Sequence, residues 1–179
     1  MSDAPVVLCN AGPLIASGKL NRLELLADLY TQVCLPQAVY YEVVTQGLVR
    51  GAAEALTVRL FWEQQCWPVI AVSEAILSGY APPIVLGSGE RAVLALAQTF
   101  PQPVVLLDDE AARAEARRLN LSVCGTVGIV VAAYRQHRLT FAQTEFLLRE
   151  IAARPDIWIS ARLCQEVLAE LRSQGTEEM

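Results

Sequence analysis

The side chains best able to act together are acidic, and they recur at the ends of short apolar runs or at the starts of helices. Val6-Val7-Leu8-Cys9-Asn10, Val39-Tyr40-Tyr41-Glu42, Gly87-Ser88-Gly89-Glu90 and Val104-Val105-Leu106-Leu107-Asp108-Asp109 each deliver a carboxylate or, in the first case, its amide analogue. In a parallel sheet the strand ends gather on one edge, where ligands bind. Residues about 100 positions apart can therefore meet in one acidic pocket. Such an all-oxygen pocket suits a hard divalent cation, Mg2+ or Mn2+, whose octahedron waters and substrate oxygens complete. One or two such ions generate a nucleophilic water and neutralise phosphoryl oxygens, the chemistry of phosphodiester hydrolysis. Taken one at a time, acids at helix starts are ordinary caps favoured by the helix dipole. The joint pattern is what asks for a common explanation.

The elements that must position these groups alternate. Residues 5–9 read as a buried strand, with Asn10 as a helix N-cap and Pro13 in the first turn that follows. Leu20, Leu23, Leu25, Leu26 and Leu29 mark an amphipathic helix ahead of a strand at 32–35. Pro36 opens a helix through about Val44 that Gly47 ends, residues 51–65 are helix-like, and Trp67-Pro68 leads into an apolar run at 69–72. Residues 78–83 are the loopiest stretch. A helix at 88–99, a strand at 104–107, a helix at 109–119 and a strand at 121–124 come next. Gly125-Thr126 then caps a helix to about Gln136, helices at 140–152 and 159–173 follow, and the tail from Gln174 to Met179 is expected to fray. Strands alternating with helices imply an α/β fold with a parallel sheet covered on both faces.

Composition limits the options. A chain of 179 residues is one domain of ordinary size, with its core over about 5–172. Apolar residues reach 54% and charged ones only 18%, against about 45–50% and 25% in typical globular chains. The surplus points to a homo-oligomer or a partner subunit, and a compact, helix-rich core would also account for it. Net charge is −5 and pI about 4.9, so nucleic acid would be met locally rather than by a basic face. The densest positive cluster is Arg113, Arg117 and Arg118; positions 113 and 117 share a helix face, either to meet a substrate phosphate or as a solvated face paired with Glu110 and Glu115. Five widely spaced cysteines without a C-x-x-C, and the single His137, argue against zinc and for a reducing cytoplasm. No apolar stretch approaches the roughly 18 residues of a membrane span.

Two other readings of the acidic edge are weaker. Gly87-Ser88-Gly89-Glu90-Arg91-Ala92 matches G-x-G-x-x-A, and Asp108 follows Gly87 by 21 residues, near the spacing of a dinucleotide's ribose-binding acid. Yet the preceding run Ile84-Val85-Leu86 is short, and Glu90 would set a carboxylate against the pyrophosphate. A phospho-acceptor site would want its paired acids after the first strand and a late strand-end lysine; the only lysine is Lys19.

Five segments in order resemble one family. Val7-Leu8-Cys9-Asn10-Ala11-Gly12-Pro13-Leu14-Ile15 through Leu23-Glu24-Leu25-Leu26, Leu35-Pro36-Gln37-Ala38-Val39-Tyr40-Tyr41-Glu42, Gly89-Glu90-Arg91-Ala92, Leu107-Asp108-Asp109-Glu110-Ala111-Ala112-Arg113 and Gly125-Thr126-Val127-Gly128 look like PIN-like proteins of the DUF3368 type, relatives of type II toxin ribonucleases. The resemblance implies a PIN-like three-layer domain, a central parallel sheet flanked by helices, spanning 1–179. It also implies Mg2+- or Mn2+-dependent cleavage of single-stranded RNA, and an antitoxin or other protein partner. Glu42, Glu90, Asp108 and Asp109 match acidic, catalytic positions; Glu90, Asp108, Asp109 and Asn10 would hold metal; Asn10, Thr126, Arg113 and Arg117 would meet substrate. The adjacent aspartates offer two registers, and either could face the ion.

The sequence departs from that family at Asn10, where the family usually carries Asp. An amide oxygen still ligates a hard cation but brings no charge and accepts no proton from an attacking water. Asp3, seven residues away across the strand, cannot replace it. Two expectations follow: a metal-dependent ribonuclease with a weakened site, or a non-catalytic PIN-like domain that binds RNA or a protein partner.

Overall fold

Five short apolar runs become a parallel sheet in a computed structural model that describes residues 5–177. The strands are β1 (Val7–Cys9), β2 (Val33–Pro36), β3 (Val69–Ile70), β4 (Val104–Leu106) and β5 (Ser122–Cys124), in the order β3-β2-β1-β4-β5. β1 is fully buried and pairs in parallel with both β2 and β4 (Leu8 opposite Cys34 and Val105). It reads as a continuous apolar run because both of its faces are covered.

The strand order carries the functional consequence. From β1 the chain steps outward to β2 and β3, then returns past β1 to β4 and β5. Right-handed crossovers therefore put the first connections on one face and the later ones on the other. The connections diverge between β1 and β4, the switch point at which sheets of this kind form a ligand crevice at the carboxyl ends of their strands. Asn10 follows β1 and Asp108 follows β4 by two residues. The Asn10 N–H donates to the Leu106 carbonyl at 3.0 Å, so the pairing runs right up to that crevice.

Helices α1 (Ala11–Lys19) and α2 (Glu24–Leu29) link β1 to β2. The expected helix through Leu20–Leu29 is divided, because Leu20 caps α1 and Asn21 takes a positive φ of 53°; Leu20, Leu23, Leu25 and Leu26 are nonetheless buried. After β2 come α3 (Gln37–Tyr40), a π-helical segment (Tyr41–Thr45) and α4 (Gln46–Arg50), followed by α5 (Ala53–Gln65). Gly47 does not end this helix as expected. Its missing Cβ, which would stand 2.8 Å from Ala55, lets α5 pack closely, and the reversal falls at Gly51 with φ 71°.

The loop expected at 78–83 is preceded by a short helix α6 (Glu74–Gly79) capped by Ser73. α7 (Ser88–Ala97), buried from Ala92 to Ala97, packs on β1, β2 and β4. α8 (Glu110–Arg118) lies against β5.

Residues through Thr126 form one compact unit, and those from Val127 form a second. The second contains α9 (Thr126–Arg135, entered at its second residue), α10 (Phe141–Ala153, opened by a Thr140–Gln143 capping box) and α11 (Ala161–Glu177). Ile129, Val130, Leu147, Leu148, Ile151 and Leu168 are among its buried apolar residues. The tail expected to fray from Gln174 continues α11 as far as Glu177, and residues 178–179, like Asp3, lie outside the described residues. Among the described residues no helix is long and apolar enough to cross a membrane.

Candidate functional site

Gly89 is the hub of one half of the acidic edge. It is buried in the first turn of α7, and a Cβ there would lie 3.2 Å from both Asn10 Oδ1 and Glu42 Oε2 and 3.3 Å from Val39. A side chain at this position would press on both the strand-end amide and the helix-borne carboxylate, which would have to give by a few tenths of an ångström. Asn10 occupies the N-cap position of α1 but makes no side-chain cap bond. Its Oδ1 is buried without a hydrogen-bond partner, a costly state for a polar atom unless a proton or cation meets it. Glu42 sits in the π-helical segment, a helix irregularity that frequently marks functional positions. Burial pushes its carboxyl above the usual range, Arg50 opposes this, and the charge of Glu90 adds to it. Glu90 itself turns back to accept from the Gly87 N–H at 2.8 Å, as a first-turn acid does.

Asp108 anchors the other half. Its Oδ1 accepts from the Thr126 N–H at 2.7 Å and its Oδ2 from the Thr126 hydroxyl at 2.6 Å. A Cβ on Gly12 would lie 3.3 Å from Oδ2, which sets the carboxylate against the start of α1, two residues beyond Asn10. Burial raises the Asp108 pKa, opposed by the two Thr126 bonds and by the charge of Arg113. Asp109 points elsewhere: exposed, it caps α8 by accepting from the Ala112 N–H at 2.8 Å. The adjacent pair thus divides, with Asp108 toward Gly12 and Thr126 and Asp109 toward its own helix.

The arginines separate as well. Arg113 is half-buried and donates from Nη1 to the Leu107 carbonyl at 2.9 Å. Arg117 is exposed in the last turn of α8. Glu115, expected as a solvated partner within the Arg113, Arg117 and Arg118 cluster, does hold Arg118 through two bonds of 2.7 Å, but it is buried and also accepts from the Tyr80 hydroxyl at 3.1 Å.

Asn10 and Glu42 therefore meet at Gly89, with Glu90 the next residue of α7, and Asp108 stands against Gly12 two residues beyond the end of β4. Among the described residues, no three His, Cys, Asp or Glu side chains are drawn together as a ready metal cage. The donor set is nevertheless all oxygen, it includes an amide oxygen without a hydrogen-bond partner, and the half-buried Glu42 and Asp108 carboxyls are both raised by burial. These residues fit a hard divalent cation. Sequence reasoning did not identify the parts played by Gly89 and Gly125. Gly89 was visible only as part of a glycine turn, and Gly125 only as the approach to a helix cap.

A family model described as DUF3368, PIN domain, matches residues 6–173. No curated protein matches the chain. The match spans both compact units and all five strands, and the parallel sheet flanked by helices agrees with it. The chain belongs to this PIN-domain family.

Proposed function

With PIN-family membership as the premise, we propose that this chain is a divalent-metal-dependent endoribonuclease that hydrolyses single-stranded RNA at a site weakened by Asn10. The two units serve one PIN-like domain in this reading. The observation that carries it is the unpartnered, buried Oδ1 of Asn10 facing the Glu42 carboxylate across Gly89, at the switch point of the sheet. Asn10, Glu42 and Glu90 are assigned to hold the ion, and Asp108 to complete the acidic edge beside it. Mg2+ or Mn2+ held there supplies a nucleophilic water at neutral pH and neutralises the scissile phosphate. Thr126 orients Asp108 with its N–H and hydroxyl. Glu42, raised by burial, is the carboxyl best suited to take the proton from the attacking water. Arg117, free in the last turn of α8, is assigned to an RNA phosphate, a local contact in a chain of net charge −5.

Self-association or a protein partner of the antitoxin kind is supported by exposed Leu48, Val49, Leu56 and Leu60 on α4 and α5. Five free cysteines support a reducing, cytoplasmic setting. The second reading, a non-catalytic PIN-like domain that binds RNA or a partner without cutting, is favoured by the uncharged Asn10 and the lack of a three-acid cage among the described residues.

Calorimetry with Mn2+, followed by incubation with unstructured RNA, separates the two. The nuclease reading expects ion binding and slow Mn2+-dependent cleavage. RNA binding without ion uptake or cleavage would establish the second reading instead.

A further inference from the structure

The Asp108 half of the crevice already contains a cation. Arg113, in the first turn of α8, folds back so that its Nη1 is fixed by the Leu107 carbonyl. A Cβ on Gly125 would stand 2.6 Å from that nitrogen and 2.9 Å from Asp108 Oδ1. Guanidinium and carboxylate thus approach the same small space, kept open because residue 125 is glycine. Burial raises the Asp108 pKa, and the Thr126 bonds and then the charge of Arg113 offset part of that rise. Both Asp108 oxygens already accept hydrogen bonds from Thr126. The opposite half differs: there the Asn10 Oδ1 is buried with no partner at all and shares the Gly89 hollow with Glu42 Oε2.

We propose that the Arg113 guanidinium takes the place of a second metal ion, so that the centre binds one divalent cation, on its Asn10–Glu42 side. The inference rests on the metal-dependent reading above and deepens it. Two-ion phosphodiesterases hold their metals about 3.5–4 Å apart and need carboxylates free to serve both. Asp108 has both oxygens engaged, and Asp109 is turned away as a helix cap. Charge leads to the same result. Glu42, whose charge feels Glu90, and Asp108, whose charge feels Arg113, give the edge three carboxylates, of which Arg113 offsets one, while Asn10 is neutral. The remaining two negative charges are cancelled by one divalent ion, and a second would leave the edge positive before any substrate arrived. Arginine is suited to the substituted role, since it stays charged at every working pH and its planar fork matches phosphoryl oxygens.

The test is the number of Mn2+ ions bound per full-length chain, read by calorimetry and by electron paramagnetic resonance of the free ion. Wild type is expected to bind one. Arg113→Gln, which removes the charge but keeps a donor for Leu107, is expected to gain a second, weaker binding event. Arg113→Lys is expected to remain at one. Two ions in wild type, or a single ion in Arg113→Gln, overturns the proposal and leaves the metal-dependent reading standing. No ion in wild type overturns both. The wild-type count decides regardless of how well Arg113→Gln folds, and Arg113→Ala gives a second neutral variant.

Discussion

Glu115 and Asp108 are both carboxylates drawn out of water near α8, yet they behave in opposite ways. Glu115 is 3% exposed and fully answered: Arg118 grips both oxygens and the Tyr80 hydroxyl adds a third bond. The Arg118 bonds, ahead of the cost of burial, hold its pKa below the usual range. Asp108, less deeply placed, is raised by burial that Thr126 and Arg113 offset only in part. Glu42 is raised too, by burial and by Glu90. The difference separates two uses of a buried acid. One ties α8 to the residue that ends α6, while the other two are left short of positive partners, as a cation site requires. Depth alone would have chosen Glu115.

The largest expected effect tests the functional side. Asp108→Asn combined with Glu90→Gln should reduce Mn2+-dependent cleavage of unstructured RNA by at least about a hundredfold. Its melting temperature should stay at or above that of wild type. Unchanged cleavage would point to a contaminating nuclease and remove the contrast.

On the structural side, Glu115→Ala should cost about 1–3 kcal/mol in denaturant unfolding, since it strands the buried Tyr80 hydroxyl. Mn2+ affinity should not move. A loss of ion binding in this variant would mean that the two clusters are not separable.

Asn10→Asp should tighten Mn2+ by roughly tenfold, because a full charge then faces the ion in a partly dehydrated site. Calorimetry showing no gain would mean that position 10 does not limit the centre.

The smallest effect concerns pH. Glu42 and Asp108 have raised folded-state pKa values, so their contribution to stability is full below the ordinary carboxylate range and is lost as pH rises through the raised values. Glu115 is lowered, and its contribution is present above the ordinary range and lost as pH falls through its folded value. In ion-free protein at neutral pH, Glu42→Gln should therefore melt about 1–3 °C higher than wild type, and the gain should vanish on acidification. A variant that melts lower would show that the ionised carboxylate is stabilised by its surroundings.

The sheet was legible because its inner strands β1, β2 and β4 are largely buried and read as unbroken apolar runs; the more exposed edges β3 and β5 follow the same pattern, and all five fall within two residues of their expected bounds. Helix ends were harder. Gly47 and Gly51 look alike in sequence, and only the approach of Ala55 to one and the positive φ of the other tell a packing glycine from a terminating one. The acids could be named, but their pairing could not. Whether Asp108 or Asp109 turns inward depends on which accepts from Thr126 eighteen residues later. Likewise, Arg113 and Arg117 share a helical spacing while only Arg113 reaches Leu107. Glu115 was misjudged because a charged residue one turn from arginines usually lies in water, and nothing local announces that Tyr80 will cover it.

The π-helical segment Tyr41–Thr45 has a consequence for how this protein can change. A regular helix would turn each residue about 100° from the last; the wider turn here inserts an extra residue, and its presence sets where Glu42 stands relative to Asn10. Deleting one residue between positions 43 and 45 would leave a chain still able to form a helix while swinging the carboxylate away from the amide. A lineage could thus lose this site through one codon, without touching any acidic side chain.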